Sequence, residues 1–297
     1  MDTKTTNSGN NTLKAEQDAA KKALEYGSAV TNALNGEYAK EEGNLRETDT
    51  IVRFLSVEHF LYMVKTGCNV LTRVTTWKDV YEGWVLRLQY TDCNNVSDLL
   101  KNYYGQCWSL READSELQWN ARSSNETGVC LKSTVGKLAK SITDRCSSDQ
   151  YSSTKKIIGI GRLDKITYDD QPKDYSTMKF DGKSISEFFS DTFSILNSFF
   201  SKRYEFNDEH EVRVVLDLPE NTHNDVMERV YKENGDLLLY KFGHPEEFID
   251  EVIFNPQMCE AKCNCLKCFL ERSGWDKVKI GRSRLYELPK QVFTLFH

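Results

Sequence analysis

The stretch Asp208–Leu218 reads DEHEVRVVLDL and places two glutamates, one residue apart, directly before an apolar strand pattern. Side chains alternate between the two faces of a strand. If the extended backbone reaches back to position 209, Glu209, Glu211 and Arg213 share one face of this strand. Two interpretations stay open. The strand is an ordinary edge on which Arg213 neutralises the glutamates, or it carries a carboxylate site.

The composition indicates a globular protein without a strong charge bias. The chain has 297 residues, with 39 Lys and Arg residues against 45 Asp and Glu residues and a net charge of −6. A chain of this length can bury a sizeable core, and its acidic balance disfavours broad nucleic-acid binding. No apolar run approaches a membrane span, and the first eleven residues lack the apolar core of a signal peptide. We therefore expect a soluble, cytoplasmic protein that does not enter the membrane.

The N-terminal part differs in composition from the rest of the chain. Residues 1–47 are polar, and the run 12–40 is rich in helix formers with only a thin apolar stripe, which includes Leu13, Leu24 and Leu34. We predict a helical or disordered extension over residues 1–47 and a single α+β domain over residues 48–297. The extension is either a solvated arm or a helix that binds a protein partner.

Strand and helix patterns alternate through the predicted domain. Ile51–Leu55 is a strand pattern, and Val57–Thr66 is a helix pattern with Ser56 as its N-cap and Gly67 at its C-terminal end. Later strand patterns lie at 69–75, 103–110, 128–133, 155–168, 208–218, 236–242, 249–254 and 278–280. Further helix patterns lie at 115–120, 135–146 and 185–203, and a helical tail follows residue 254.

The loop after the second predicted strand combines aromatic and acidic side chains. It carries Trp77, Asp79, Tyr81, Glu82 and Trp84. Loops of this composition often form the wall of a binding site. The aromatic rings can equally be anchors that pack the loop against the protein.

Nine cysteines in a chain without a secretion signal indicate free thiols or a metal site. Cys259, Cys263, Cys265 and Cys268 form a Cys-x3-Cys-x-Cys-x2-Cys cluster, and structural zinc needs four such thiolates. On a continuous helix Cys265 would face away from Cys259 and Cys263, so the four converge only if the backbone breaks near Asn264. The cluster is therefore either a zinc site, with about one metal per chain, or a set of packed free thiols.

Several motifs resemble, in order, those of one bacterial family. They include VRFLSVEHFLYMV, CWSLREADSELQWNARSSNETGVCL, EHEVRVV and EVIFNP, and the best-matching pieces are Trp119 with Gly128–Cys130 and Glu209 with Glu211–Arg213. Through these motifs the chain resembles the family called domain of unknown function 2971, and the resemblance extends from about residue 51 to about residue 288. Members of that family often occur among toxin-like or phage-defence genes. The resemblance implies a fold and no particular reaction.

A second resemblance, to the plan of the ADP-ribosyltransferases, implies a chemistry. It depends on the order of four predicted elements, which are a strand with Arg53, a helix, a strand with Ser109, and a late strand that begins with Glu-x-Glu. In that plan a split sheet holds NAD. The resemblance implies that Arg53 binds a phosphate or ribose, that Ser109 supports the Glu-x-Glu strand, and that Glu211 holds the nicotinamide ribose. Glu209 would orient the acceptor, and Trp119 is a further candidate for NAD binding.

These patterns together predict an α+β fold with a mixed, mainly antiparallel split sheet and flanking helices. Two functions stay open. The first is an NAD-consuming ADP-ribosyltransferase or NAD glycohydrolase, acting as a toxin or phage-defence effector. The second is a non-catalytic sensor or interaction subunit of a defence complex, whose arm and aromatic loop bind another macromolecule. A cleft that gathers Arg53, Ser109 and Glu211 would favour the enzyme, and their dispersal would favour the interaction protein.

Overall fold

A computed structural model describes residues 45–79, 82–83, 100–122, 127–146, 160–169, 192–218, 227–230, 237–241 and 244–288. The predicted N-terminal extension lies outside the described residues as far as residue 44. The first part of the helix predicted at 185–203 also lies outside them, as far as residue 191.

The predicted helices and strands occur in the predicted order among the described residues, and a strand at Ser201–Arg203, a strand at Met227–Val230 and a helix at Pro245–Phe248 are additional. The α-helices are α1 (Val57–Thr66), α2 (Glu116–Arg122), α3 (Val135–Cys146), α4 (Thr192–Ser198), α5 (Pro245–Phe248) and α6 (Glu260–Arg272). The strands are β1 (Thr50–Ser56), β2 (Cys68–Arg73), β3 (Tyr103–Leu110), β4 (Gly128–Thr134), β5 (Ile160–Lys165), β6 (Thr167–Asp169), β7 (Ser201–Arg203), β8 (Glu211–Asp217), β9 (Met227–Val230), β10 (Leu237–Lys241), β11 (Glu251–Phe254) and β12 (Lys279–Arg282). No helix among the described residues is long and apolar enough to cross a membrane.

Local sequence sets both ends of α1. The Ser56 hydroxyl accepts a hydrogen bond from the His59 N–H at 3.3 Å, so the predicted N-cap is confirmed. At the other end Gly67 adopts the left-handed conformation, with φ of 64°, and its N–H donates to the Met63 carbonyl. Phe60 and Met63 form the buried face of the helix.

The chain divides into two compact units. The second unit consists of residues 50–68, 108–134 and 242–297. Its strands follow the order β12, β11, β4, β1 and the end of β3. The pair β11 and β12 is parallel, whereas β4 pairs antiparallel with both β11 and β1, and β1 pairs antiparallel with β3.

The first unit consists of residues 1–49, 69–107 and 135–241. Within its described part β8 pairs with β5 and with β3, and β2 pairs antiparallel with β3. Strands β9 and β10 are also antiparallel, while β6 and β7 form a small parallel sheet. Antiparallel pairing dominates both units, so the predicted mixed, mainly antiparallel α+β class is confirmed. A single domain over residues 48–297 stays a prediction.

A cluster of buried apolar side chains fills the first unit beside β8. Its members are Val74, Leu100, Tyr103, Ile166, Ile195, Leu196, Phe199, Phe200 and Val215. Full burial of one such side chain contributes about 1.5–3 kcal/mol. This core fixes the position of α4 and of the chain that follows it.

The helix predicted at 185–203 ends earlier, at Ser198. Phe199 and Phe200 follow in tight turns, because their N–H groups donate to the carbonyls of Leu196 and Asn197, and both rings are buried. Ser201–Arg203 then forms β7 against β6. Ring burial and strand pairing thus outweigh the helical spacing of the sequence, since tertiary contacts commonly override propensity.

Residues just before β1 support the start of α3. The carbonyls of Glu47 and Asp49 accept hydrogen bonds from the N–H groups of Gly136 and Val135, which the helix itself leaves unpaired.

Deletion of residues 1–44 should therefore change the free energy of unfolding by less than about 0.5 kcal/mol. Deletion of residues 1–47 also removes the Glu47 carbonyl and should cost about 1 kcal/mol more. Urea unfolding measures both, and an insoluble product of the shorter deletion would show that the extension packs into the domain.

Candidate functional site

A buried group of charged side chains lies in the first unit around Arg213. We call it the ion cluster, and its members are Glu82, Lys202, Glu209, Glu211 and Arg213. Arg213 has 0% of its surface exposed, and Glu82, Lys202 and Glu211 are also buried. Charged side chains are almost never fully buried unless they are paired. The pairing within the cluster is therefore what makes this arrangement stable.

Glu209 and Glu211 both contact Lys202, although they do not lie on one continuous strand. β8 begins only at Glu211, because Tyr204–Glu209 form a 3-10 helix, so the expected extension of the strand to Glu209 is not observed. His210 between them has a left-handed backbone, with φ of 43°, which is uncommon for a residue with a side chain. After this turn, Lys202 Nζ lies 2.7 Å from Glu209 Oε2 and 3.2 Å from Glu211 Oε2.

The guanidinium of Arg213 has partners in several directions. Its Nε and Nη2 lie 2.8 and 2.7 Å from Glu211 Oε1, and Nη2 lies 3.1 Å from Glu82 Oε1. Nη1 donates to the Phe199 carbonyl. The Trp77 ring centroid is 4.2 Å from the guanidinium carbon, within the range of a cation–π interaction. Arg213 is thus compensated by two carboxylates, a carbonyl and an aromatic ring.

Lys202 links the three carboxylates of the cluster. Besides its contacts with Glu209 and Glu211, its Nζ lies 3.1 Å from Glu82 Oε1. Burial by itself would lower the pKa of Lys202, but the charges of Glu211 and Glu82 and the contact with Glu209 raise that pKa well above its ordinary value. Lys202 therefore remains protonated at neutral pH, and it holds the carboxylates together.

The Glu211 carboxyl stays ionised although it is buried. Burial raises its pKa, but the charges of Arg213 and Lys202, with a hydrogen bond from the Cys107 thiol, lower that pKa to about 2. Burial and the charge of Glu211 raise the pKa of Cys107 to about 12, so this thiol is a neutral donor and not a nucleophile. The Glu211 N–H donates to the Tyr168 hydroxyl at 2.8 Å.

Two glycines allow Glu82 and Trp77 to approach the cluster. Gly83 has φ of 60°, and a Cβ atom there would lie 2.7 Å from the Phe199 ring. A Cβ atom on Gly105 would lie 2.5 Å from the Trp77 ring. Both positions favour glycine, because it permits left-handed backbone and close approach of neighbouring groups.

Sequence reasoning found part of this cluster. Glu209, Glu211 and Arg213 were visible as neighbours, whereas Lys202 and Cys107 were not predicted. Trp77 and Glu82 belong to the loop for which a binding wall and packing anchors were both open, and both side chains pack against Arg213. Tyr81 and Trp84 of the same loop lie outside the described residues.

Arg53 and Ser109 are placed in the second unit, whereas Glu211 lies in the first. The Arg53 guanidinium carbon is 6.0 Å from the Trp108 ring centroid. Ser109 is buried on β3, opposite Val52 of β1. The three residues that the second resemblance assigns to NAD therefore do not fall within one compact unit.

Trp119 also lies in the second unit, and it is 3% exposed. Its Nε1 donates to Asp114 Oδ2 at 2.7 Å, and its ring meets that of Phe54 edge-on, with the centroids 4.8 Å apart. Trp119 is thus a buried anchor of α2, and a role in NAD binding stays a prediction.

The four clustered cysteines lie along α6, which runs unbroken through Asn264. Cys259 is the N-cap residue of the helix, Cys263 is buried, and Cys259, Cys265 and Cys268 are exposed. Within the described residues, no group of three or more His, Cys, Asp or Glu side chains is positioned to hold a metal ion. A four-cysteine zinc site in one chain is thus not supported, because an unbroken helix directs Cys265 and Cys268 away from Cys263.

Comparison with known proteins supports the first resemblance. The family model described as "Protein of unknown function (DUF2971)" matches residues 118–214, so the chain is similar to that family over less than half its length. This stretch contains Trp119, Lys202, Glu209, Glu211 and Arg213. No curated protein and no solved structure matches the chain significantly, and the resemblance to ADP-ribosyltransferases is unsupported.

Proposed function

We propose that the ion cluster supports a carboxylate site of an NAD-consuming enzyme, similar to an ADP-ribosyltransferase or an NAD glycohydrolase. The observation that carries this proposal is the unequal exposure of the two glutamates on Lys202. The Glu209 side chain is 24% exposed, whereas that of Glu211 is 1% exposed. A ligand can therefore meet Glu209, while Glu211 faces Arg213 and Lys202.

In this proposal Glu209 faces the ribose of NAD. The bond between ribose and nicotinamide breaks, and its electron pair leaves with the nicotinamide. Water or an acceptor nucleophile then bonds to the oxocarbenium-like ribose carbon and loses a proton. A fixed, ionised carboxylate stabilises the positive charge of that carbon better than reorganising water does.

The remaining members of the cluster position Glu209. Lys202 holds its carboxylate at 2.7 Å, and Glu211 and Glu82 hold Lys202 in turn. Glu211 is therefore a positioning residue in this proposal, instead of the ribose-binding residue that the resemblance implies. The reason is access, since a buried carboxylate that already faces two cations offers little surface to a ligand.

Incubation of the purified chain with NAD, with and without bacterial extract as a source of acceptors, tests the proposal. We expect nicotinamide release in proportion to the amount of protein. Free ADP-ribose in equal amount would indicate hydrolysis, and label transferred to a macromolecule would indicate transfer. Absence of nicotinamide release under both conditions would overturn the proposal.

Two observations favour a second function, that of a non-catalytic sensor or interaction subunit. Both Glu211 oxygens contact cations, and Arg53 and Ser109 lie in the other unit. A purely structural ion cluster accounts for both of these features without a ligand. In that case NAD is not consumed, and substitutions in the cluster change stability alone.

A further inference from the structure

α6 buries one narrow face. Cys263 and Leu270 are buried and Leu266 is half-buried. An α-helix turns by about 100° per residue, which places these three side chains on one side and Cys265 and Cys268 on the opposite side. Both of these thiols are exposed. The outer face of α6 therefore presents a pair of thiols.

The spacing of the pair suits a metal better than a disulfide. Side chains three residues apart on a helix have Cβ atoms about 5–6 Å apart. A disulfide needs Cβ atoms about 3.5–4.5 Å apart, so oxidation of the pair would require the helix to distort. Thiolates bound to one zinc ion lie about 2.3 Å from it, and both thiols can reach a single ion without a change in the backbone.

Two thiols are half of a structural zinc site, which takes four ligands. The described part of a single chain does not complete the set, since it holds no group of three or more suitable side chains. A second copy related by a two-fold axis presents the same two thiols. We propose that Cys265 and Cys268 of two copies bind one zinc ion and thereby join two chains through α6.

The neighbours of the thiol pair suit such a contact. Ala261 is small and lies one turn before Cys265, which allows two helices to approach closely. Phe269 lies one turn after Cys265 and is 42% exposed, so a dimer would remove its ring from water. Lys262 and Arg272 are exposed beside the pair. Their positive charges would offset the negative charge of four thiolates around one zinc ion.

Zinc content and mass in solution, measured on the full chain in reducing buffer, test this proposal. We expect one zinc ion per two chains and a dimer that dissociates when a chelator is added. The double variant Cys265→Ser, Cys268→Ser should lose both the zinc and the dimer. Cys259→Ser, which changes an exposed thiol at the start of the same helix, should retain both. Since all three thiols are exposed, thermal unfolding should be cooperative in every variant in the absence of zinc.

Several outcomes would overturn the proposal. These are a zinc-free monomer, a monomer with one zinc ion per chain, a dimer that survives chelation, and a dimer that reducing agent dissociates. A loss of zinc in Cys259→Ser would also overturn it, because that result assigns the metal to a different set of cysteines.

Discussion

Replacement of Glu211 by glutamine should lower the free energy of unfolding by about 3–5 kcal/mol. Glutamine keeps the shape of the side chain but removes the negative charge that Arg213 and Lys202 face. For an exposed ion pair the loss would be at most about 1 kcal/mol. The larger value applies here because Arg213 is 0% exposed, and a buried cation that loses one of its two carboxylate partners cannot recover hydration.

Urea unfolding of matched variants measures this effect. Glu205→Gln removes the same charge at an exposed position of the neighbouring 3-10 helix, and it should change stability by less than about 0.5 kcal/mol. Adding Arg213→Met to Glu211→Gln should cost less than the sum of the two single changes, because the pair is then removed together. A loss in Glu211→Gln no larger than in Glu205→Gln would contradict the structural role.

The stability difference between the wild-type chain and Glu211→Gln should decrease as the pH falls. The pKa of Glu211 is lowered from 4.5 to about 2 in the folded chain. A lowered pKa stabilises the folded state above the unfolded pKa, and this stabilisation is lost as the pH falls through the folded value. The stability difference between the wild-type chain and Glu211→Gln should therefore be full above pH 4.5 and should shrink between pH 4.5 and about 2.

Replacement of Glu209 by glutamine should reduce nicotinamide release by about 100-fold or more, if the proposed enzyme function holds. The charge that stabilises the ribose carbon is lost, while the buried pairs of Arg213 stay intact. Stability should fall less than in Glu211→Gln, since the Glu209 side chain is 24% exposed. Turnover and unfolding are measured on the same preparations, and Glu205→Gln serves as the matched control with activity near that of the wild-type chain.

The two products separate the possible roles of Glu209. If Glu209 stabilises the ribose carbon, hydrolysis and transfer should fall together, because both pass through the same charged centre. If it only orients the acceptor, as the resemblance to ADP-ribosyltransferases implies, transfer should fall more than hydrolysis. Full release of nicotinamide by Glu209→Gln would end the proposal and favour the interaction protein.

Short-range patterns by themselves determined many of the elements. The strand before α1, the Ser56 cap and the Gly67 end follow from neighbouring residues, and the structure confirms each of them. The α+β class followed from the order of such elements, and the pair Glu209 and Glu211 was already visible as an unusual charge density. The two ends of α1 depend on contacts three or four residues apart, and the sequence displays such contacts directly.

Only the tertiary structure determined which residues pair with Glu211 and Arg213. Glu82 lies 131 positions before Arg213 in the sequence and still contacts its guanidinium, and no spacing rule relates two such residues. The end of α4 and the left-handed turn at His210 were likewise set by burial of Phe199 and Phe200 and by pairing with Lys202. A buried charge needs a partner of opposite charge, and the fold can supply that partner from a distant part of the sequence. The surroundings of Glu211 and Arg213 therefore follow from the packing of the whole unit and not from the local sequence.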